Sequence, residues 1–155
     1  MCEDAATFKQ KSGTSYVNGG GARNADDKVL QHNGGGTVAV KNFYAENIGK
    51  VYRSCGNCGT QYARKSTFDN IRVNGASVAV GINGNLGGEC SVQAHMKSIE
   101  VNGRTDTTSI QNSCLLNSKI CWLYKGNDSG AEPSKTASAP DGKVCATSAV
   151  KTSGC

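Results

Sequence analysis

Short runs that mix β-branched and polar residues recur along the chain, and each meets a glycine or an asparagine. Residues 37–44, 66–73 and 91–101 have this form. Such runs predict strands bounded by turns. The tripeptide Val-Asn-Gly occurs at Val17-Asn18-Gly19, Val73-Asn74-Gly75 and Val101-Asn102-Gly103. The starts differ by 56 and then by 28, so the period is 28 and the missing copy falls on Ala45-Glu46-Asn47. Phe43, Ile71 and Ile99 keep this register, as do Asn42, Asn70 and Ser98.

A period in the twenties marks a solenoid whose coils stack on one another. Five Asn-Gly pairs would ordinarily suggest hairpins, since Asn-Gly supports positive φ in tight turns. Hairpins do not demand a constant unit, whereas right-handed coils of parallel strands do. The pattern therefore predicts an all-β fold, a single-stranded right-handed parallel β-helix with 28-residue coils. Equivalent positions in successive coils form ladders, which places Val38, Val40 and Phe43 beneath Phe68, Ile71 and Val73.

Composition narrows this further. A chain of 155 residues suits one domain spanning 1–155, and 37% hydrophobic with 6% aromatic residues is too polar for a helix bundle. Eight cysteines point to an oxidising compartment and to disulfides. The first residues are neither basic nor apolar, so they do not form a signal peptide. No run of about 18 apolar residues exists, which excludes a membrane-spanning helix. A net charge of +5 would suit nucleic acid, a membrane surface or an acidic polysaccharide, or simply solubility; nucleic acid is set aside because basic residues and aromatics do not interleave in any recognition motif. Residues 128–141 lack periodicity, and 126–155 is expected as a loop-rich tail pinned by Cys121, Cys145 and Cys155. Cys55-Gly56-Asn57-Cys58 has redox or zinc spacing, but without a second knuckle or a βαβ context a disulfide is the plainer reading.

Several stretches taken together carry a resemblance: Cys2-Glu3-Asp4-Ala5-Ala6-Thr7-Phe8-Lys9, Ala25-Asp26-Asp27-Lys28, Val29-Leu30-Gln31-His32-Asn33-Gly34-Gly35-Gly36 and Gly49-Lys50-Val51-Tyr52-Arg53-Ser54-Cys55. Over residues 2 to 85 the chain resembles the family 3 pectate lyases, secreted enzymes that cut pectin backbones by β-elimination. The resemblance implies a parallel β-helix and a calcium-dependent lyase, secreted and monomeric, acting on polygalacturonate in plant cell walls. It also implies further sequence ahead of Cys2, so the chain is expected to be N-terminally incomplete and, taken alone, weak in calcium binding and in activity. The rival expectations are a non-catalytic β-helix that binds acidic polysaccharide and an inactive truncated lyase.

By the resemblance, Glu3, Asp4 and Asp27 are the calcium ligands, Lys28 and Arg53 are catalytic, and Lys9, Lys50 and Arg53 contact substrate. Spacing adds to this. One period on from Glu3 and Asp4 lie Gln31 and His32, just past Asp27 and Lys28, and one period back from Arg53 lies Ala25. The pairs Glu3/Asp4, Asp27/Lys28 and Lys50/Arg53 are thus expected near one edge of three adjacent coils. Lys28 is the preferred base, because crowded cations and partial burial depress a lysine pKa. Arg53 suits a bidentate clamp on a substrate carboxylate, although arginine as base stays open. His32 is expected to make a structural hydrogen bond, and His95 carries no motif.

Overall fold

The computed structural model describes residues 4–85 and 106–155. Among them are eleven β-strands, and the pairings between coils are parallel. Three faces build up as the chain winds. The first face stacks β2 (Thr14–Asn18), β4 (Gly36–Lys41), β6 (Arg64–Asp69), β8 (Thr107–Leu116) and β11 (Cys145–Lys151). The second face is made by the first halves of β3 (Gly21–His32), β5 (Tyr44–Ser54) and β7 (Arg72–Asn85), with the end of β8 laid against β7. The third face begins with β1 (Ala6–Phe8), continues through the second halves of β3, β5 and β7, and ends at β9 (Cys121–Lys125). One hairpin partner, β10 (Ser134–Ala139), runs antiparallel to β9. This is the predicted parallel β-helix; the segment from 126 onward, expected to be loop-rich, adds β11 to the first face and β10 as the antiparallel partner of β9.

The coils are not of constant length. Tyr16 pairs with Ala39, Ala39 with Thr67 and Thr67 with Ser109, so the steps up this column are unequal. Only the middle one, from Ala39 to Thr67, has the expected length; the first is shorter and the last much longer. The first two Val-Asn-Gly copies are therefore not stacked: Gly19 turns the corner between the first and second faces, and Gly75 the corner between the second and third, both at positive φ. The third copy lies outside the described residues. The corners share a requirement for left-handed backbone, met at the first by Asn42, Asn70 and Asn112 and at the second by Asn24, Asn47, Gly75 and Asn117. Asparagine tolerates that region better than other non-glycine residues. Its amide also bonds the coil below, as in Asn70 Nδ2 to Asn42 Oδ1 at 2.7 Å and Asn47 Nδ2 to Asn24 Oδ1 at 2.9 Å.

Apolar ladders fill the interior. Val40 pairs with Phe68 and Phe68 with Ile110, all buried, while Val38 meets Ser66 instead of an aliphatic residue. A run of edge-on rings, Phe8, His32, Tyr52 and Phe68, crosses the core at centroid spacings of 6.2, 6.0 and 5.7 Å. Arg64 is buried too, and its guanidinium donates to the carbonyl oxygens of Gly34 (2.8 Å), Asn33 (2.9 Å) and Cys55 (3.1 Å). It joins the turn after β3 to the loop after β5. Among the described residues three disulfides are formed: Cys55–Cys58, Cys114–Cys155 and Cys121–Cys145. The last two tie the C-terminal segment to the final coil; Cys2 and Cys90 lie outside the described residues. No described helix is long and apolar enough to cross a membrane.

His32 has the structural role expected of it. Nδ1 lies 2.8 Å from the Tyr52 hydroxyl and Nε2 3.1 Å from the Gly35 carbonyl oxygen. Burial lowers its pKa to about 4, with the hydrogen bond to Gly35 opposing the shift and Arg64 reinforcing it. Between the ordinary 6.5 and about 4 the unfolded chain therefore binds a proton that the native state refuses. The stability this group contributes is complete above pH 6.5 and falls as the pH drops toward 4, by at most about 1.4 kcal/mol per pH unit. Urea unfolding at pH 7 and pH 5 should show a loss at the lower pH that His32→Gln reduces. An equal loss in both proteins would remove His32 as the cause.

Candidate active site

The third face is interrupted at one place. Ala25 pairs with Ile48 and Lys28 with Lys50, so Asp26 and Asp27 together face the single residue Gly49. This β-bulge brings the Asp26 and Asp27 carbonyl oxygens so close to Gly49 that a Cβ there would collide with both. The extra residue puts the Asp27 side chain between two stacked lysines.

The charges alternate. Lys28 Nζ lies 2.6 Å from Asp27 Oδ2 and 3.3 Å from Asp4 Oδ1, and Lys50 Nζ lies 2.9 Å from Asp27 Oδ1. Asp4 arrives from the coil below, positioned by the Ala5 N–H bond to the Val29 carbonyl and by the pairing of Ala6 with Leu30. Burial works to raise the Asp27 pKa, but hydrogen bonds from Lys28 and Lys50 outweigh it and hold the carboxyl below its ordinary value. Burial works to lower the Lys28 pKa, and here too the ion pairs prevail: Asp27, then Asp4, hold the ammonium above its ordinary value. That is the reverse of the expected direction for Lys28. The sequence shows a crowd of cations, whereas the charges nearest in space are carboxylates.

Arg53 sits farther along β5, paired with Gln31 below and Gly81 above. It is 8% exposed. Its Nη1 donates to Asn83 Oδ1 at 3.1 Å, and its Cζ lies 3.8 Å from the centroid of the Tyr124 ring. A Cβ at Gly81 would press on Arg53 Cδ at 2.9 Å, so glycine leaves the stem room to lie flat. Burial lowers the Arg53 pKa against the opposing pull of Tyr124, Asp106 and Glu132. The guanidinium, Lys28, Lys50 and Asp27 line one open cleft of about 210 Å³. Its other walls come from Gln31, from Gly56 and Asn57 inside the Cys55–Cys58 loop, and from Tyr124, Glu132 and Pro133.

The structure thus brings together Asp4, Asp27, Lys28, Lys50 and Arg53. Lys9 is exposed just past β1 and does not line the cleft. Glu3 lies outside the described residues, and among the described residues no cluster of three or more His, Cys, Asp or Glu side chains is arranged for a metal. Sequence reasoning does not find Gln31, Asn57, Tyr124 or Glu132. The available signal for Tyr124 is the Cys121-Trp122-Leu123-Tyr124 run, which places two aromatics in a chain with only nine among Phe, Trp and Tyr.

The chain is 44% identical over 140 residues to "Probable pectate lyase D" of Aspergillus fumigatus, an alignment covering 90% of this chain and 51% of that protein. It is 42% identical over 147 residues to "Probable pectate lyase E" of Aspergillus clavatus, covering 94% and 50%. The chain therefore spans about half the length of these relatives. Among solved structures, the catalytic domain of pectate lyase PelI from Erwinia chrysanthemi superposes with a TM-score of 0.71 at 29% identity, over 98% of this chain and 67% of that one. The pectate lyase family model matches residues 1–103, and on these grounds the chain belongs to the pectate lyase family.

Proposed function

We propose that the protein cleaves polygalacturonate by β-elimination, as a secreted, calcium-dependent, monomeric pectate lyase acting on plant cell walls, with 1–155 forming one β-helical unit of it. One observation carries the reading: Lys28, Asp27 and Lys50 alternate in charge and share one open cleft with a buried Arg53, and Asp4 extends the alternation from behind Lys28. The disulfides support an oxidising destination.

Elimination removes the proton from the ring carbon that bears the carboxylate. Its electron pair forms a carbon–carbon double bond as the neighbouring glycosidic C–O bond breaks, and the leaving oxygen takes up a proton. The proton is weakly acidic, so negative charge building on the carboxylate side must be stabilised in the transition state. Arg53 is suited to that: its planar fork can hold a carboxylate through two N–H bonds, and Tyr124 under it fixes the plane. Lys50 presents a second cation from the same strand, held in the cleft by Asp27.

The donor set fits a hard cation. Asp4 and Asp27 offer carboxylate oxygens, and Asp4 Oδ1 is buried without a hydrogen bond although Lys28 Nζ is 3.3 Å away. Asp4 and Asp27 would hold calcium, with Glu3 proposed as a third ligand, and calcium held there would supply Lewis-acid neutralisation of a substrate carboxylate. Lys28 is the proposed base and must act in its neutral form, which Asp27 and Asp4 oppose as they stand. Arg53 as base is a second reading, favoured by the lowering of its pKa by burial. Lys9 remains a proposed contact for substrate extending past the cleft.

With calcium present, polygalacturonate should yield unsaturated products that absorb in the ultraviolet, and chelation should stop their release. Saturated product ends would mean hydrolysis and would end the lyase reading.

Lys28→Ala should lower kcat by about 100-fold or more if Lys28 is the base. Arg53→Lys should lower kcat/KM by about tenfold or more through loss of the bidentate contact. Retention of most activity by Lys28→Ala would transfer the role of base to Arg53.

A further inference from the structure

A buried guanidinium must be aimed as well as bonded. For Arg53 the acceptor is Asn83 Oδ1, and Asn83 is itself fully buried on β7. The other end of that amide is held tightly. Asn83 Nδ2 donates to Asp106 Oδ2 at 3.1 Å, to the Cys55 carbonyl oxygen at 2.9 Å and to Ser54 Oγ at 3.2 Å. Asp106, just ahead of β8, is fully buried as well. Its carboxylate accepts from the Arg64 backbone N–H at 3.0 Å and from the Asn83 backbone N–H at 3.4 Å, and lies 3.8 Å from Arg64 Nη1. Burial raises its pKa, and Ser54, Arg64 and the two backbone N–H groups work against that, so the ionised form depends on these partners.

We propose that Asp106, acting through Asn83, is the positioning residue for Arg53, because its carboxylate fixes the Asn83 amide with the oxygen facing the cleft guanidinium. An ionised carboxylate only accepts hydrogen bonds, so it takes the NH₂ end of the amide and leaves Oδ1 for Arg53. Half a turn of the amide would set NH₂ against guanidinium and oxygen against carboxylate, opposing like groups at both ends. A neutral side chain at 106 could donate or accept, so the charged half of the constraint would vanish and the Cys55 carbonyl alone would oppose the flip. Asp106 also supplies the negative charge that two buried guanidiniums need: Arg64 faces it directly, and Arg53 is one amide away. Among the described residues no carboxylate forms an ion pair with Arg53.

The catalytic consequence rests on the proposed role of Arg53, while the geometry does not, so the test reads both. In ¹⁵N-arginine-labelled protein, Arg53 is assigned by its absence in Arg53→Lys. Slow rotation of its guanidinium should give separate Nη signals in the unmodified protein and averaged signals in Asp106→Asn. Because Asp106 also anchors Arg64, Asn83→Leu serves as a second variant that leaves the Arg64 contacts in place. It should average the Arg53 signals in the same way. On polygalacturonate, Asp106→Asn should lower kcat by about tenfold, the effect of losing a charged hydrogen bond. In the Arg53→Lys background it should cause little further loss. Averaged Arg53 signals in the unmodified protein would overturn the proposal, as would unchanged signals in a folded variant or fully additive kinetic losses. Signals that respond in a protein with no turnover would support the positioning and refute the lyase reading.

Discussion

Parallel strands hydrogen-bond only when each coil returns its backbone directly over the last, about 4.8 Å away and in one register. Nearly every other feature of this molecule follows from that vertical alignment. Corners must recur at the same places, so left-handed residues recur there, and short amides at those places can bond to one another along the axis. Interior positions must recur too, so Val40, Phe68 and Ile110 make a column rather than a cluster. Coil length is free, as the unequal steps from Tyr16 to Ala39 and from Thr67 to Ser109 show.

The site is a local exception to the alignment. One added residue in β3 puts a carboxylate between lysines that would otherwise stack as like charges. The partner strand accepts the bulge only because residue 49 has no side chain. Farther along the same strand, Arg53 points into a cleft whose far wall comes from β9 and the segment after it. Order along the axis supplies the column of cations, and the bulge supplies the acid among them.

This division explains what can be read from the chain alone. Asn42 and Asn70 do stack at the predicted period. Asp4, Asp27, Lys28, Lys50 and Arg53 do converge, although the coils that join them are shorter than that period, with Leu30 on Ala6 and Lys50 on Lys28. The period misleads for a physical reason: Val-Asn-Gly reports a strand followed by left-handed backbone, and two different corners satisfy that description. The direction of the Lys28 shift is not legible, because it depends on which sign of charge lies nearest, and a bulge decides that. Tyr124, Glu132, Asn83 and Asp106 are not legible either. They belong to or face coils whose lengths vary, so no spacing brings them to Arg53.

Variable coil length bears on how the chain assembles in time. Contacts between successive coils of one face join positions roughly one coil apart, so the search for partners scales with the coil and not with the whole chain. Closing a loop costs about 0.6 kcal/mol more for each doubling of its length. The step from Thr67 to Ser109 is somewhat under twice the step from Tyr16 to Ala39, so it adds only about 0.5 kcal/mol of closure entropy. Cys114–Cys155 and Cys121–Cys145 both lie beyond that step. Oxidation can lock the final coil, whereas among the described residues the earlier coils around Lys28 and Arg53 are held by stacking and by the short Cys55–Cys58 loop.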